Sequence, residues 1–280
     1  MVPENAAVVA TDPLMTLEFH AISVGGIRFG QAQSSCDGVQ FYLNQQNLVQ
    51  YFSASIVKNL PSLITARFFH QAVIIKVKNS WTLFVAGGKT KERWLASTEK
   101  LDLTPYFKKG LTVLKDGIVE KFTSEWVEAK PMLSARSNFA MVVQKDSVYA
   151  IGGISDKDAM ESHRPVLSHP VERYNVNTDK WEQLSIANFS RLAAFSWTPL
   201  GDSSSVAILG GSNGNIMQDE LIIVDLKKEA AENFPAAYPF FTAMGHLTYH
   251  EEEKTLYSFG GLNSQGINYK LRLDAKDWEQ

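Results

Sequence analysis

Five Gly-Gly pairs, each directly after a short apolar run, constrain the fold of this chain more than any other feature. They are Gly25–Gly26, Gly87–Gly88, Gly152–Gly153, Gly210–Gly211 and Gly260–Gly261. The runs before them, such as VYAI before Gly152, are rich in β-branched and aromatic residues, which predicts strands. A glycine pair at the end of a strand indicates backbone with positive φ or a close approach to a neighbouring segment. The sequence therefore predicts one small β unit that is repeated along the chain.

The clearest copy of this unit lies between Asn138 and Leu184. It contains four extended runs, which read FAMVVQ, VYAIGG, VERYN and WEQL, with turns at KDS and VNTD. Four short strands repeated every roughly 40–50 residues are typical of a β-propeller. Most intervals between the Gly-Gly pairs are longer than that, so insertions are expected in the loops.

The repeated unit resembles the kelch repeat. In that family a blade carries a Gly-Gly pair, a Tyr and a Trp downstream, and usually an Arg before the innermost strand. The central unit matches all of these positions, with Arg136, Gly152–Gly153, Tyr174 and Trp181. The other units match in part. The second unit has Arg67 and Trp126, the fourth has Arg191, the fifth has Trp278 and the first has Tyr42. Ala243 lies near the Arg place of the fifth unit.

The resemblance covers nearly the whole chain and implies an all-β, kelch-type β-propeller with about five four-stranded blades, six being the alternative. The blades are expected at residues 6–54, 68–129, 138–185, 192–234 and 244–280 of a single domain, 1–280. Outer strands are expected near 117–122 in the second blade and 276–279 in the fifth. Two insertions, Tyr106–Asp116 and Ile154–His169, are long enough to suggest functional loops.

Composition limits the possible partners and the compartment. The formal net charge is −3, so there is no basic field to attract nucleic acid or an anionic membrane. The single cysteine, Cys36, excludes an internal disulfide framework and favours a reducing compartment. The N-terminus lacks the features of a secretory signal, and no run approaches 18 apolar residues. We therefore expect a cytoplasmic protein without membrane insertion.

The arginines define a first candidate site. The first two strands of each blade are predicted to form an antiparallel hairpin, so the start of the first and the end of the second share an edge. This places Arg67, Arg136 and Arg191 on the face that carries the Gly-Gly pairs and the loops between the second and third strands. The favoured interpretation is that the arginines tie adjacent blades together. The alternative is a basic mouth that receives an acidic peptide, through donors suited to carboxylates.

The loops on the same face supply further candidate contacts. The candidates are Lys89, Lys91, Arg93, Trp94, Asn213, Asn215, Asn263 and Gln265, together with His163 and Arg164 in the second insertion. An exposed Trp beside basic residues is a plausible interface anchor, although Trp94 can equally fold back on the blade. The polar loops SNGN and NSQG also have the composition of ordinary turns, so their residues can have a purely structural role.

Catalysis has less support in the sequence. No nucleophile elbow, phosphate-binding loop or HExxH motif is present, and we expect neither a metal nor a cofactor. His246 and His250 are four residues apart on a strand, about 13 Å at ~3.3 Å per residue, which is too far to chelate one metal. His70 and His246 are expected at equivalent places on first strands, where a channel-lining pair is conceivable.

The sequence thus favours a non-catalytic scaffold or adaptor that presents a loop-lined face to a partner protein. The kelch resemblance implies ubiquitin-ligase components or substrates, or cytoskeletal proteins, as partner classes. One alternative is a propeller enzyme that acts on a small molecule in the central channel. Another is a structural subunit that uses the two insertions to hold its neighbours.

Overall fold

The computed structural model describes residues 6–9, 21–46, 49–77, 80–106, 124–155, 166–167, 171–275 and 277–280. The described elements are strands, apart from one 3-10 turn at Thr104–Tyr106. The chain divides into two compact units, Met1–Pro131 and Met132–Gln280. In the described part of the chain, we find no helix with the length and hydropathy needed to span a membrane.

The first unit contains two four-stranded antiparallel sheets, called blade 1 and blade 2. Blade 1 has the spatial order β1-β2-β5-β6, and its strands are β1 (Ala6–Val9), β2 (Ala21–Val24), β5 (Cys36–Gln46) and β6 (Val49–Leu60). A small hairpin, β3 (Ile27–Arg28) and β4 (Gln31–Ala32), lies between β2 and β5. Blade 2 consists of β7 (Gln71–Val77), β8 (Ser80–Ala86), β9 (Thr98–Asp102) and β10 (Val127–Ala129). Each Gly-Gly pair of this unit follows the second strand of its blade.

The second unit contains blades 3, 4 and 5. Blade 3 consists of β11 (Ala140–Gln144), β12 (Ser147–Ile151), β15 (Val171–Asn175) and β16 (Lys180–Leu184), with the small hairpin β13 (Ile154–Ser155) and β14 (Val166–Leu167) beside it. Blade 4 consists of β17 (Ser196–Leu200), β18 (Ser205–Leu209), β19 (Leu221–Asp225) and β20 (Ala230–Asn233). Blade 5 has three strands, β21 (His246–His250), β22 (Thr255–Phe259) and β23 (Tyr269–Arg272).

The predicted fold class is confirmed: the chain is all-β and is built from propeller blades. Four sheets have the expected four strands, whereas the fifth differs from the prediction. The strand expected at 276–279 is reduced to a single bridge, in which the backbone groups of Lys270 and Glu279 exchange hydrogen bonds of 2.7 and 2.8 Å. The chain turns after β23, where the Ala275 N–H donates to the Arg272 carbonyl, and this turn separates β23 from the bridge at Glu279. In blade 2 the segment expected near 117–122 lies outside the described residues, and the outer strand is β10, directly after Trp126.

The apolar core lies between successive blades within each unit. In β18, Val206 and Ile208 pack with blade 3, while Ala207 and Leu209 pack with blade 5. Because both faces of this sheet are covered, its second strand is continuously apolar and does not alternate with polar residues. A separate cluster that includes Ile22, Val24, Leu83 and Leu101 joins blades 1 and 2.

Four residues immediately before the first strand form the same turn in blades 2 to 5, and we call them the entry segment. The entry segments are residues 67–70, 136–139, 192–195 and 242–245. The third residue of each has a positive φ, at Phe69 (56°), Asn138 (54°), Ala194 (55°) and Met244 (56°). Strand register aligns these positions with one another. In each blade, the residue two positions after the one with positive φ pairs with the last residue of the second strand, as in Gln71↔Ala86 and Ser196↔Leu209. The entry segment therefore provides a structural alignment of the blades.

Candidate functional site

Arg67 and Arg136 are completely buried at the first position of their entry segments. Each forms an ion pair with a buried glutamate on the third strand, Arg67 with Glu99 and Arg136 with Glu172. Each also donates to the carbonyl of the first glycine of its own blade, at 2.9 Å to Gly87 and 2.8 Å to Gly152. Burial lowers the pKa of both arginines, and the neighbouring glutamate opposes that effect. Because both side chains are completely buried, they cannot contact a partner protein at the surface.

The two glutamates complete a clamp that the sequence analysis did not identify. Glu99 accepts hydrogen bonds from the amides of Ile64 (2.8 Å) and Thr65 (3.0 Å), just upstream of Arg67. Glu172 accepts the corresponding bonds from Leu133 (2.7 Å) and Ser134 (3.0 Å). Each arginine–glutamate pair therefore fixes the chain within one blade, between its entry segment and its third strand. The available sequence signal was a glutamate at the second position of both third strands.

Blade 4 replaces this clamp with apolar residues. By the entry-segment alignment, the place of Arg136 is held by Leu192, and the place of Glu172 by Ile222, which pairs with Ile208 as Glu172 pairs with Ala150. Leu192 is buried, and Ile222 packs against the same cluster. The expected equivalence of Arg191 with Arg136 is therefore wrong by one residue, and Arg191 is exposed. In blade 5 the place belongs to Thr242 and not to Ala243.

In blades 2, 3 and 4 the last residue of the entry segment is an aromatic side chain that packs against glycines of the Gly-Gly pairs, whereas in blade 5 it is Gly245. A Cβ on Gly152 of blade 3 or on Gly211 of blade 4 would lie under 3.0 Å from Phe195. His70 holds the same place in blade 2, between Gly25 and Gly88, and Phe139 holds it in blade 3. A side chain at these glycines would therefore collide with the aromatic residue.

The predicted equivalence of His70 and His246 is wrong. His246 is the first residue of β21 and pairs with Phe259, as Gln71 pairs with Ala86, so His70 lies one position earlier. His246 is exposed, whereas His70 is buried, and neither ring nitrogen forms a hydrogen bond of normal length and angle, although the nearby Val24 backbone favours the charged form. Burial, with a smaller contribution from Arg67, lowers the pKa of His70 to about 3. His70 is thus a neutral packing residue, and the described residues contain no group of three potential metal ligands.

The loop after Gly88 combines basic side chains with a tryptophan. The Lys89 ammonium lies 4.5 Å from the ring centre of Trp94 and 5.7 Å from that of Phe68, within the range of cation–π attraction. Trp94 is half-buried and forms a backbone bridge with Lys89, so it folds back on the loop. Lys91 and Arg93 are exposed. Together with Glu92, which is also exposed, these two side chains are more accessible than the indole.

An exposed phenylalanine in the first unit was missed by the sequence analysis. Phe29 is 93% exposed at the tip of the β3–β4 hairpin, and the Arg28 guanidinium lies 5.3 Å from its ring centre. Its φ of 50° and the following Gly30 form the turn. The sequence signal was a phenylalanine directly before a glycine in an otherwise polar loop.

In blades 4 and 5, polar side chains of the loops form hydrogen bonds that stabilise these loops. The side chain of Asn213 accepts hydrogen bonds from the amides of Asn215 (3.0 Å) and Ile216 (3.1 Å). The side-chain amide of Asn263 donates to the Phe241 carbonyl at 3.0 Å, which ties its loop to the entry region of blade 5. Asn215 and Gln265 are exposed and remain candidates for partner contact. His163 and Arg164 lie outside the described residues.

Around these loops the second unit exposes several large apolar side chains, which we call the loop apolar surface. Its members are Ile216, Phe241, Met244, Leu262 and Ile267, and they are 37% to 62% exposed. Backbone bonds connect the segments that carry them, from Leu262 N–H to the Ala243 carbonyl (2.8 Å) and between Gln218 and Thr242. A groove of about 580 Å³ lies alongside, lined by Phe240, Phe241 and Ile267 together with Asp219.

Successive antiparallel sheets of four strands, with a Gly-Gly pair after each second strand, are typical of β-propeller blades. The sequence comparison agrees, since the family model for the Kelch motif matches residues 135–186. That match covers blade 3 with most of its entry segment, so this part of the chain is similar to a kelch repeat. No curated protein matches the chain.

Proposed function

We propose that this chain is a non-catalytic protein-binding module whose loop apolar surface docks a partner protein. The observation that carries the proposal is the concentration of exposed apolar residues on one set of loops. Of the ten large apolar side chains that are exposed among the described residues, five belong to this surface. Scattered single residues of this kind are normal on protein surfaces, whereas a contiguous group marks an interaction site.

The surface has the composition of an interface centre. Phe241 and Met244 offer large side chains without charge, which are enriched at interface cores. Asn215 and Gln265 at the margin supply hydrogen-bonding groups for a polar rim. Asp219 lies in the lining of the groove, so a partner with a basic side chain next to an apolar anchor would suit it. We propose partners among the classes that the kelch motif suggests, ubiquitin-ligase components or cytoskeletal proteins, and a cytoplasmic setting.

The test is affinity capture from native lysate with the double variant Phe241→Asp and Leu262→Asp. The expected result is a stoichiometric protein partner that the parent chain recovers and the double variant loses. Val127→Asp is the matched control, because Val127 is also an exposed apolar residue, 49% accessible, but lies on the outer strand of blade 2. Equal recovery by the double variant and the parent would overturn the proposal, as would the absence of any stoichiometric partner.

A further inference from the structure

The loop between β18 and β19 contains the one Asn-Gly sequence of the chain, Asn213–Gly214. Asn213 is exposed, and the same loop carries Ile216 of the loop apolar surface. In an Asn-Gly pair, a bond between the glycine nitrogen and the side-chain carbonyl carbon of the asparagine closes a succinimide ring. Because glycine has no side chain, nothing on that residue hinders the approach of the two atoms. The pair can therefore react with itself where the folded loop holds it in a suitable geometry.

The folded loop activates the side-chain carbonyl of Asn213. Its Oδ1 atom accepts hydrogen bonds from the backbone amides of Asn215 (3.0 Å) and Ile216 (3.1 Å). Two amide donors on one carbonyl oxygen make the carbon more electrophilic and stabilise the negative charge that the oxygen gains when a nucleophile adds. They also fold the side chain over the Asn213–Gly214 peptide, because both amides lie beyond that peptide in the chain. The turn thus brings the electrophilic carbon towards the nitrogen that attacks it.

The nucleophile and the leaving group of this reaction are also defined by the structure. The Gly214 amide donates to the Ser212 hydroxyl at 3.1 Å, which fixes the plane of the peptide whose nitrogen attacks. The side-chain nitrogen of Asn213 is the leaving group, and it donates no hydrogen bond to any residue that the structure describes. The side chain is therefore held by its oxygen, while its nitrogen is not restrained.

Asn263 in blade 5 is the contrasting asparagine beside the loop apolar surface. It is exposed like Asn213, but its side-chain nitrogen is held by a hydrogen bond to the Phe241 carbonyl (3.0 Å). The next residue is Ser264, which carries a side chain and is buried. A held leaving group and a hindered nucleophile both oppose ring closure. Comparison of the two asparagines therefore separates the effect of this geometry from that of exposure alone.

We propose that Asn213–Gly214 is a site of spontaneous modification, at which the loop converts Asn213 to aspartate and isoaspartate. The Gly214 nitrogen loses its proton to hydroxide and attacks the side-chain carbonyl carbon of Asn213. The bond from that carbon to the side-chain nitrogen breaks, and the nitrogen takes a proton from water and leaves as ammonia. Water then opens the succinimide ring. Cleavage of the new C–N bond gives aspartate, and cleavage of the original peptide C–N bond gives isoaspartate.

The two products change the loop in different ways. Aspartate keeps an oxygen in the place of Oδ1, so the amides of Asn215 and Ile216 can still donate to it, now in charge-assisted bonds. Isoaspartate lengthens the backbone by a carbon atom, which disrupts the turn and displaces Ile216. Both products add a negative charge beside exposed apolar side chains. Docking of a partner on the loop apolar surface therefore weakens as the modification accumulates, a consequence that rests on the proposed function.

The test incubates the purified full chain at mildly alkaline pH and follows each asparagine by peptide mapping with mass spectrometry, which detects the replacement of NH2 by OH. We expect Asn213 to react at least about tenfold faster than Asn263. Both isoaspartate and aspartate are expected at position 213, and an isoaspartyl methyltransferase with labelled S-adenosylmethionine identifies the isoaspartate. A smaller ratio between the two rates, or aspartate as the only product, would overturn the proposal, since opening of a succinimide gives both products.

A synthetic peptide of residues 205–222 measures what the folded loop contributes. It has the same sequence around Asn213 but no blade to hold the turn. We expect the folded chain to react at least as fast as this peptide, because the amides of Asn215 and Ile216 act together on Oδ1 in the turn. A slower reaction in the folded chain would show that the loop protects Asn213, which contradicts the proposal.

The variant Asn213→Ser is the matched control for the effect on docking. A serine hydroxyl can accept hydrogen bonds from the same amides, but it has no carbonyl carbon with which to form the ring. After incubation, the parent chain should recover less partner from native lysate than before, and Asn213→Ser should recover as much as before. Equal losses in both chains, or no loss in either, would refute the link to docking. If the fresh parent chain captures no partner, the proposed function fails, whereas the mass measurements still decide the modification.

Discussion

At the scale of single residues, His70 carries two hydrogen-bonding nitrogens into a place that phenylalanine holds in blades 3 and 4. Its ring lies between Gly25 and Gly88, as the ring of Phe195 lies between Gly152 and Gly211. A buried polar group without a partner keeps the cost of its lost hydration. The residue is thus a local weak point of blade 2 and not a catalytic group.

We predict that His70→Phe stabilises the protein. The phenyl ring removes the two unpartnered nitrogens, and the structure already accommodates phenylalanine at the same place in blade 4. The expected gain in the free energy of unfolding at pH 7.5 is about 1–2 kcal/mol. Urea denaturation measures it. A loss of stability would show that the blade 2 space is too small for the larger ring, contrary to this expectation.

The same residue makes stability depend on pH. Its pKa is about 3 in the folded protein, whereas an unperturbed histidine has a pKa of 6.5, so the unfolded chain binds the proton more readily. The stabilising preference for neutral His70 is present above pH 6.5 and is lost as the pH falls from 6.5 towards 3. Between pH 7.5 and pH 5 the contribution of His70 is about 2 kcal/mol, and it disappears in His70→Phe. Urea denaturation at both pH values tests this, with the exposed His246→Gln as control.

At the scale of a blade, the entry segment is fixed by two different kinds of contact. Blades 2 and 3 fix the entry segment with a buried arginine–glutamate pair, and blade 4 uses Leu192 and Ile222. Breaking a buried ion pair leaves an uncompensated charge, whereas replacing both partners with apolar residues is often tolerated. This difference predicts how the stability of blade 3 changes when its ion pair is replaced by the apolar residues of blade 4.

We predict that Arg136→Leu alone destabilises blade 3 by about 3–5 kcal/mol, because Glu172 remains buried without its cation. Adding Glu172→Ile recovers most of that loss. A residual cost of about 1–3 kcal/mol is expected, since the amides of Leu133 and Ser134 lose their acceptor. A double-mutant cycle by chemical denaturation measures the coupling. Additive losses would show that the pair is not the unit that fixes the entry segment.

The glycine pairs allow a matched comparison between two glycines of the same backbone conformation. We predict that Gly210→Ala destabilises the protein by several kcal/mol, because its Cβ would collide with the Thr242 carbonyl, and overpacking of a tight site costs about 1–3 kcal/mol beyond backbone strain. Gly260→Ala has the same positive φ, but among the described residues only its chain neighbours lie within 4 Å of its Cβ position, so only the strain of about 1 kcal/mol is expected. Thermal denaturation of the two variants measures the difference. Equal losses would contradict this difference in crowding.

The sequence predicted the blades best where both faces of a sheet are covered. SVAIL before Gly210 is such a run, and its strand was found where it was expected. The sequence could not align the entry segments of blades 4 and 5, because the residues with positive φ there are Ala194 and Met244, which carry no turn signal. It therefore assigned Arg191 in place of Leu192. The loop apolar surface was missed for a related reason, since exposure of Phe241 and Leu262 depends on how the loops meet and not on local pattern.

At the scale of the whole molecule, exposed apolar area is distributed unevenly, with the loop apolar surface as its main concentration in the described chain. We predict that Phe241→Asp with Leu262→Asp reduces binding of the dye ANS and raises the ammonium sulfate concentration needed for precipitation. The free energy of unfolding should change by less than about 0.5 kcal/mol, because these surface side chains lie outside the core. Val127→Asp, on the outer strand of blade 2, should have a smaller effect on ANS binding because it is an isolated residue. Equal effects of the double variant and this control would mean that the five residues do not act as one surface, and the docking proposal would lose its basis.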